Sequence, residues 1–166
     1  SHGTMIYDAD AIKQQKVVED AASHWNQAVG IKMIMSYQEA GVSKENADVV
    51  ITGDDLPAGT GGDTWHGVQY IGQQNLIRIS NSTLNSADNN HTDFIQAVST
   101  LSHEMGHALG LNHDSGALMG TAGANDLKDG TLPDIPYYNV NAIGNYLKDL
   151  DQIYPGAKPV KIPNIV

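Results

Sequence analysis

Residues 103–114 read His103-Glu104-Met105-Gly106-His107-Ala108-Leu109-Gly110-Leu111-Asn112-His113-Asp114, and they concentrate the chemistry of this chain. On an α-helix, side chains four positions apart lie about 40° apart around the axis and about 6 Å apart along it. His103 and His107 can therefore reach one ion from one face, roughly opposite Leu101 and Met105. Glu104 stands about 100° round from His103, beside such an ion yet not forced to bind it. It is free to take a proton from a water that the ion carries. Gly110 permits a sharp turn in a conformation that is costly for other residues, and the turn lets His113 return as a third ligand. Three neutral imidazoles suit zinc and leave one coordination position for water. Zinc acidifies that water and polarises a substrate carbonyl, Glu104 moves the proton, and the expected product of the arrangement is a hydrolase. A purely structural zinc usually takes four protein ligands, and no cysteine is present to supply one.

A helix must carry these residues, and the sequence predicts one. Asp93 with Gln96 three residues on resembles a capping box. Phe94, Val98, Leu101, Met105 and Ala108 then form an apolar stripe that ends at Gly110. A first helix, capped by Asp8 or Asp10, is expected to run to about Val29, with Val18, Ala21, Ala22, Trp25 and Val29 on one stripe and Gly30 as its stop. Strands are expected at Ile31–Met35, at Ala47–Thr52 before Gly53-Asp54-Asp55, and at Trp65–Ile71 and Asn75–Ser80, the last two paired as a hairpin through Gly72. Leu56–Asp63 holds Pro57, Gly59, Gly61 and Gly62 and is expected to be loop. Asn81–Thr92 reads as a polar connection, and Asn112–Tyr138 shows no convincing period. Val140, Ile143, Leu147, Leu150 and Tyr154 define a last helix stopped by Pro155-Gly156, before an extended tail to Val166.

The 166 residues fit one domain, and neither an internal repeat nor a linker divides them. With 40% apolar and 17% charged residues, the chain can bury a core. Its 19 acidic and 9 basic residues leave a net charge of −10, which argues against nucleic-acid phosphates and anionic lipid as partners. No apolar run approaches the roughly 20 residues of a membrane span, and Ser1–Asp10 lacks the features of a signal peptide. Ser1-His2-Gly3-Thr4 reads as a cloning remnant, so a signal or pro-segment is expected upstream.

The stretch from His103 to Met119 resembles the long zinc-binding consensus of the metzincin metallopeptidases, most nearly the matrixin and adamalysin branches, in the manner of a small bacterial matrixin-like protease. Asp114 directly after the third histidine is similar to the adamalysin pattern. Ser115-Gly116-Ala117-Leu118-Met119 resembles the matrixin approach to the Met-turn, the loop that passes beneath the zinc, and Asn141-Ala142-Ile143 resembles the start of the matrixin C-terminal helix. Two departures stand out. Gly120 and Thr121 follow Met119, so a tyrosine two residues after the methionine, and with it a fifth ligand, is not expected. The structural zinc of the matrixins, which a His-x-Asp segment helps to hold in that family, is not expected here.

The resemblance implies an α+β, zincin-like catalytic domain. A twisted mixed sheet with two helices would form an upper subdomain, about 5–110, and a small lower subdomain with a C-terminal helix would span about 111–156. It implies a secreted, zinc-dependent endopeptidase with one catalytic zinc on His103, His107 and His113 and Glu104 as general base, acting as a monomer on peptides or proteins, the extracellular matrix among them. Gly110, Asp114 and Met119 would support the site, Asp114 by bonding backbone in the lower subdomain. Substrate would run antiparallel to the edge strand, which makes Trp65–Tyr70, and so Trp65, His66, Gly67 and Val68, the candidate contacts. Pro136-Tyr137-Tyr138, with Tyr137 foremost, would wall the pocket after the scissile bond. The alternative reading is a catalytically silent zinc-bearing peptide-binding or adhesion module on the same scaffold. Among other residues, His24 reads as packing, and His66 and His91 are candidates for a second metal without a recognisable ligand spacing. Asp54, Asp55 and Asp63 around a Gly-rich loop, and Asp88, Asn89, Asn90 and Asp93, are candidates for calcium, although neither matches an EF-hand.

Overall fold

Short apolar segments build a five-stranded sheet, and two long amphipathic helices pack together over it. The structure, a computed structural model, describes residues 4–66, 74–121, 127 and 130–143. In chain order the elements are β1 (Met5–Asp8), α1 (Gln15–Val29), β2 (Ile34–Ser36), α2 (Tyr37–Ala40), a 3-10 turn (Lys44–Asn46), β3 (Val49–Asp54), β4 (Gly62–Trp65), β5 (Asn75–Ser80), α3 (Asn81–Ser86) and α4 (His91–Ala108). Residues 137–143 are also helical. The strands lie in the order β2-β1-β3-β5-β4. All neighbours are parallel except β4, which runs antiparallel to β5 at the edge, with Trp65 opposite Leu76 and Gly62 opposite Ile79. This mixed sheet with its helices is the expected α+β architecture.

The core lies between sheet and helices. Val49, Ile51, Ile77 and Ile79 of β3 and β5 are fully buried, as are Val17, Val18, Ala21 and Trp25 of α1 and Val98, Leu101 and Met105 of α4. Trp25 fills the α1–α4 contact and donates its indole N–H to the Ser102 carbonyl at 2.9 Å. α4 lies against β4 and β5, and so the helix bearing the histidines rests beside the antiparallel edge. Among the described residues no helix is long and apolar enough to cross a membrane.

Several boundaries differ from expectation, each for a local reason. Asp8 closes β1 rather than capping α1; α1 starts behind Gln14 without a side-chain cap. Asp10 instead accepts the Tyr37 hydroxyl at 2.6 Å. Gly30, at φ 86°, does end α1 in the left-handed region. The second strand starts at Ile34 because the Asn26 side chain bonds Met33 N and Ile34 N, leaving Ile31 63% exposed. The third strand runs to Asp54 rather than stopping at Thr52. The expected loop Leu56–Asp63 is already strand from Gly62. The polar segment after Ser80 holds α3, anchored by buried Leu84. α4 is capped by Asn90 rather than Asp93: Asn90 Oδ1 accepts Asp93 N at 2.9 Å, and Asp93 takes the acidic place in the first turn. The last helix includes Val140 and buried Ile143; Leu147, Leu150, Tyr154, Pro155-Gly156 and the tail lie outside the described residues.

Candidate metal centre and active site

His103 and His107 project from the last turns of α4, and the chain then reverses. Gly110 adopts φ 98°, its N–H bonds the His107 carbonyl at 2.9 Å, and Leu111 N–H bonds the Gly106 carbonyl at 2.9 Å. These two bonds form a Schellman turn, whose left-handed position favours glycine. The turn carries Leu111 beneath His107, whose Nδ1 donates to the Leu111 carbonyl at 2.7 Å. His103 Nδ1 donates to the Leu118 carbonyl at 2.6 Å. A carbonyl partner places the ring proton on Nδ1 and leaves the Nε2 lone pair for a cation, the usual support of a metal-bound imidazole.

The Nε2 atoms converge. His103 and His107 are 3.1 Å apart at Nε2, and His107 and His113 3.2 Å. Nitrogens on a tetrahedral zinc, each about 2.0–2.1 Å from it, stand about 3.3–3.4 Å apart, so the three residues fit that ion closely. The His103 and His107 rings are buried and His113 is exposed, so the centre opens to solvent on the His113 side.

The loop after His113 braces this geometry. Asp114 N–H bonds the Met119 carbonyl at 3.0 Å, and its carboxylate accepts Gly116 N–H at 2.7 Å and the Asn139 side-chain amide at 3.0 Å. Asp114 thereby ties the third histidine to the Met119 loop and to the helix at 137–143. Met119 is fully buried against α4. A β-carbon at Gly106 would lie 2.5 Å from Met119 Sδ and 3.1 Å from Trp25 Cζ2, so any larger residue in the helix turn between the two histidines would displace Met119.

Glu104 is 2% exposed, and its Oε1 accepts the Thr64 hydroxyl of β4 at 2.8 Å. In the zinc-free protein burial pushes the carboxyl up to about 8; the Thr64 bond opposes that rise, the charge of Asp63 adds to it, and a cation on the histidines would lower it again. His66, just past β4, donates Nε2–H to the His107 carbonyl.

The structure thus brings together His103, Glu104, His107, Gly110, His113, Asp114 and Met119. Trp65 lies half-buried at the end of the edge strand. His66, expected to touch substrate, is instead 5% exposed and turned onto α4, where it holds the helix end. Gly67 and Val68 lie outside the described residues. Tyr137 is 81% exposed, while the Tyr138 hydroxyl lies 2.8 Å from where a Gly116 β-carbon would sit. His24 bonds the Pro133 carbonyl at 2.6 Å, and His91 is exposed at the first residue of α4.

The calcium expectation finds no support. Arg78 pairs with both Asp54 and Asp63, Asp55 accepts the Asn81 amide, and Asn90 and Asp93 cap α4. Among the described residues, the three histidines are the group that could hold a metal. Thr64 and Gly106 were not singled out from the sequence. Gly106 did carry a signal, because a glycine inside a helix costs about 1 kcal/mol and calls for a packing reason. Thr64 carried none.

A three-histidine centre on a zincin-like fold defines a zinc metallopeptidase of the metzincin type, and comparison with known proteins agrees. The metallo-peptidase family M12B, reprolysin-like, matches residues 7–114, and the chain belongs to this family. Among solved structures the chain is similar to the crystal structure of archaemetzincin from Methanopyrus kandleri, with a TM-score of 0.55 and 15% identity over 88% of this chain and 97% of that one. At that identity the likeness speaks for the fold. Among curated proteins the sequence finds no match.

Proposed function

We propose that the chain is a zinc-dependent endopeptidase in which His103, His107 and His113 hold the ion and Glu104 is the general base. The observation that carries this reading is the convergence of three Nε2 atoms, two of them on rings anchored through Nδ1, beside a buried carboxylate. Zinc, when bound, supplies Lewis acidity toward the scissile carbonyl and acidifies water. Glu104 takes the proton of the attacking water and passes it to the departing amine. Met119 and Asp114 hold the histidine loop in place. β4 stands at the antiparallel edge of the sheet among the described residues and would receive an extended peptide as a further strand, with Trp65 at its end.

The same reading places a cleft between an upper subdomain, about 5–110, and a lower one, about 111–156, with Tyr137 near the pocket after the scissile bond. Asp114 and the Met119 loop favour the matrixin and adamalysin branches. By analogy with them the protein acts as a secreted monomer.

Digestion of a diverse, end-blocked peptide library by the zinc-loaded protein, read by mass spectrometry beside Glu104→Ala, tests the proposal. Internal cuts made only by wild type are expected. Equal cutting by Glu104→Ala overturns the role of Glu104. Peptide binding without cuts, from folded and zinc-loaded protein, favours the silent binding module.

A further inference from the structure

The inner side of β4 runs along the helix that carries the site. Gly62, Thr64 and His66 alternate onto that side, since successive strand residues point to opposite faces. Each meets α4. A β-carbon at Gly62 would lie 3.0 Å from Glu104 Cγ and 2.9 Å from the Arg78 carbonyl. The Thr64 hydroxyl lies 2.8 Å from Glu104 Oε1 and 3.1 Å from the Glu104 carbonyl oxygen. His66 bonds the His107 carbonyl. Glu104 therefore lies against a strand with no side chain at one position and a hydroxyl at the next.

We propose that Thr64 is a positioning residue for Glu104, its hydroxyl fixing one carboxylate oxygen so that the other is the one presented to water. The proposal rests on the reading of Glu104 as general base. Three observations support it. Thr64 is fully buried and Glu104 nearly so, which leaves little access for solvent to compete for the bond. The hydroxyl sits between the carboxylate and the backbone of the same residue, so the side chain is referenced to the helix axis rather than left to swing. Thr64 itself is held in place, because its β-branched side chain is stiff and its neighbour Asp63 is clasped by Arg78 from β5. A base displaced by a fraction of a bond length loses rate while substrate binding is untouched.

The test compares Thr64→Val, which keeps the shape and loses the hydroxyl, with Thr64→Ser, which keeps the hydroxyl. Thr64→Ala, run alongside, serves if the valine variant does not fold. On a cleaved peptide, the valine or alanine variant is expected to lose about tenfold or more in kcat with KM and zinc stoichiometry unchanged, and Thr64→Ser to recover most of the loss. A crystal structure of the valine or alanine variant is expected to show Glu104 turned from its wild-type rotamer. Wild-type kcat in the variant, or a loss that serine does not restore, overturns the proposal. If wild type itself cuts nothing, the base reading fails, and the crystal structure decides the positioning role alone: an unmoved Glu104 rejects it.

Discussion

His113 is the exposed member of a trio whose other two rings are buried, and removing each ligand is expected to have a different consequence. His113→Ala deletes a ligand without opening the core, so the variant should melt near the wild-type temperature in chelator yet bind zinc at least about 100-fold more weakly. His103→Ala leaves the Leu118 carbonyl without its donor in a buried setting, and should cost about 1–3 kcal/mol of stability as well as zinc affinity. Chelator competition and urea unfolding separate the two effects; equal stability losses would contradict the assignment of burial. At this scale the ligands were legible because helix periodicity places positions 103 and 107 on one face and Gly110 announces the turn. Thr64 was not legible, because it meets Glu104 across 40 residues, a pairing that only the sheet register and helix packing create.

α4 carries the site, and two of its positions test how it is held. Gly106→Ala would gain about 1 kcal/mol of helix propensity, yet its methyl group would lie 2.5 Å from Met119 Sδ and 3.1 Å from Trp25. Overpacking of a closed core costs about 1–3 kcal/mol, so the net expectation is lower stability and weaker zinc retention, measured by urea unfolding and chelator competition. Asn90→Ala removes the cap and should cost about 1 kcal/mol without touching zinc affinity. The two long helices could be read from sequence because each repeats its apolar period over three or more turns. β1 and α3 are too short for a period to declare itself, and each is defined by neighbours instead, β1 by β2 and β3 and α3 by Leu84 in the core; β2 was expected, but its start is set by the Asn26 side chain. The start of β4 was hidden because its glycine and aspartate read as loop, whereas Asp63 is held by Arg78 and Gly62 lets the strand approach Glu104.

For the whole molecule, zinc and protons are the two linked variables. An ion that binds only the folded chain stabilises it by about 2.7 kcal/mol at 100 times its Kd, so chelation should lower Tm and one equivalent of zinc should restore it. In the zinc-free protein His24 adds an acid sensitivity. Burial holds its folded pKa below the ordinary 6.5, with the Pro133 carbonyl bond partly opposing. The unfolded chain therefore binds the proton first, and this contribution is full above pH 6.5 and is lost as pH falls through the window beneath it. His24→Gln should unfold with a shallower pH dependence across that window; an unchanged slope would contradict the half-buried neutral imidazole.

The central claim is that one zinc on three histidines makes this chain a peptidase. Zinc titrated into metal-free protein, with bound metal and cleavage of one susceptible peptide followed together, tests it most directly. Activity is expected to rise in step with the first equivalent, to saturate there, and to be absent at every zinc level in His107→Ala. Full cleavage by the metal-free protein, or cleavage by His107→Ala at equal zinc, would contradict the account.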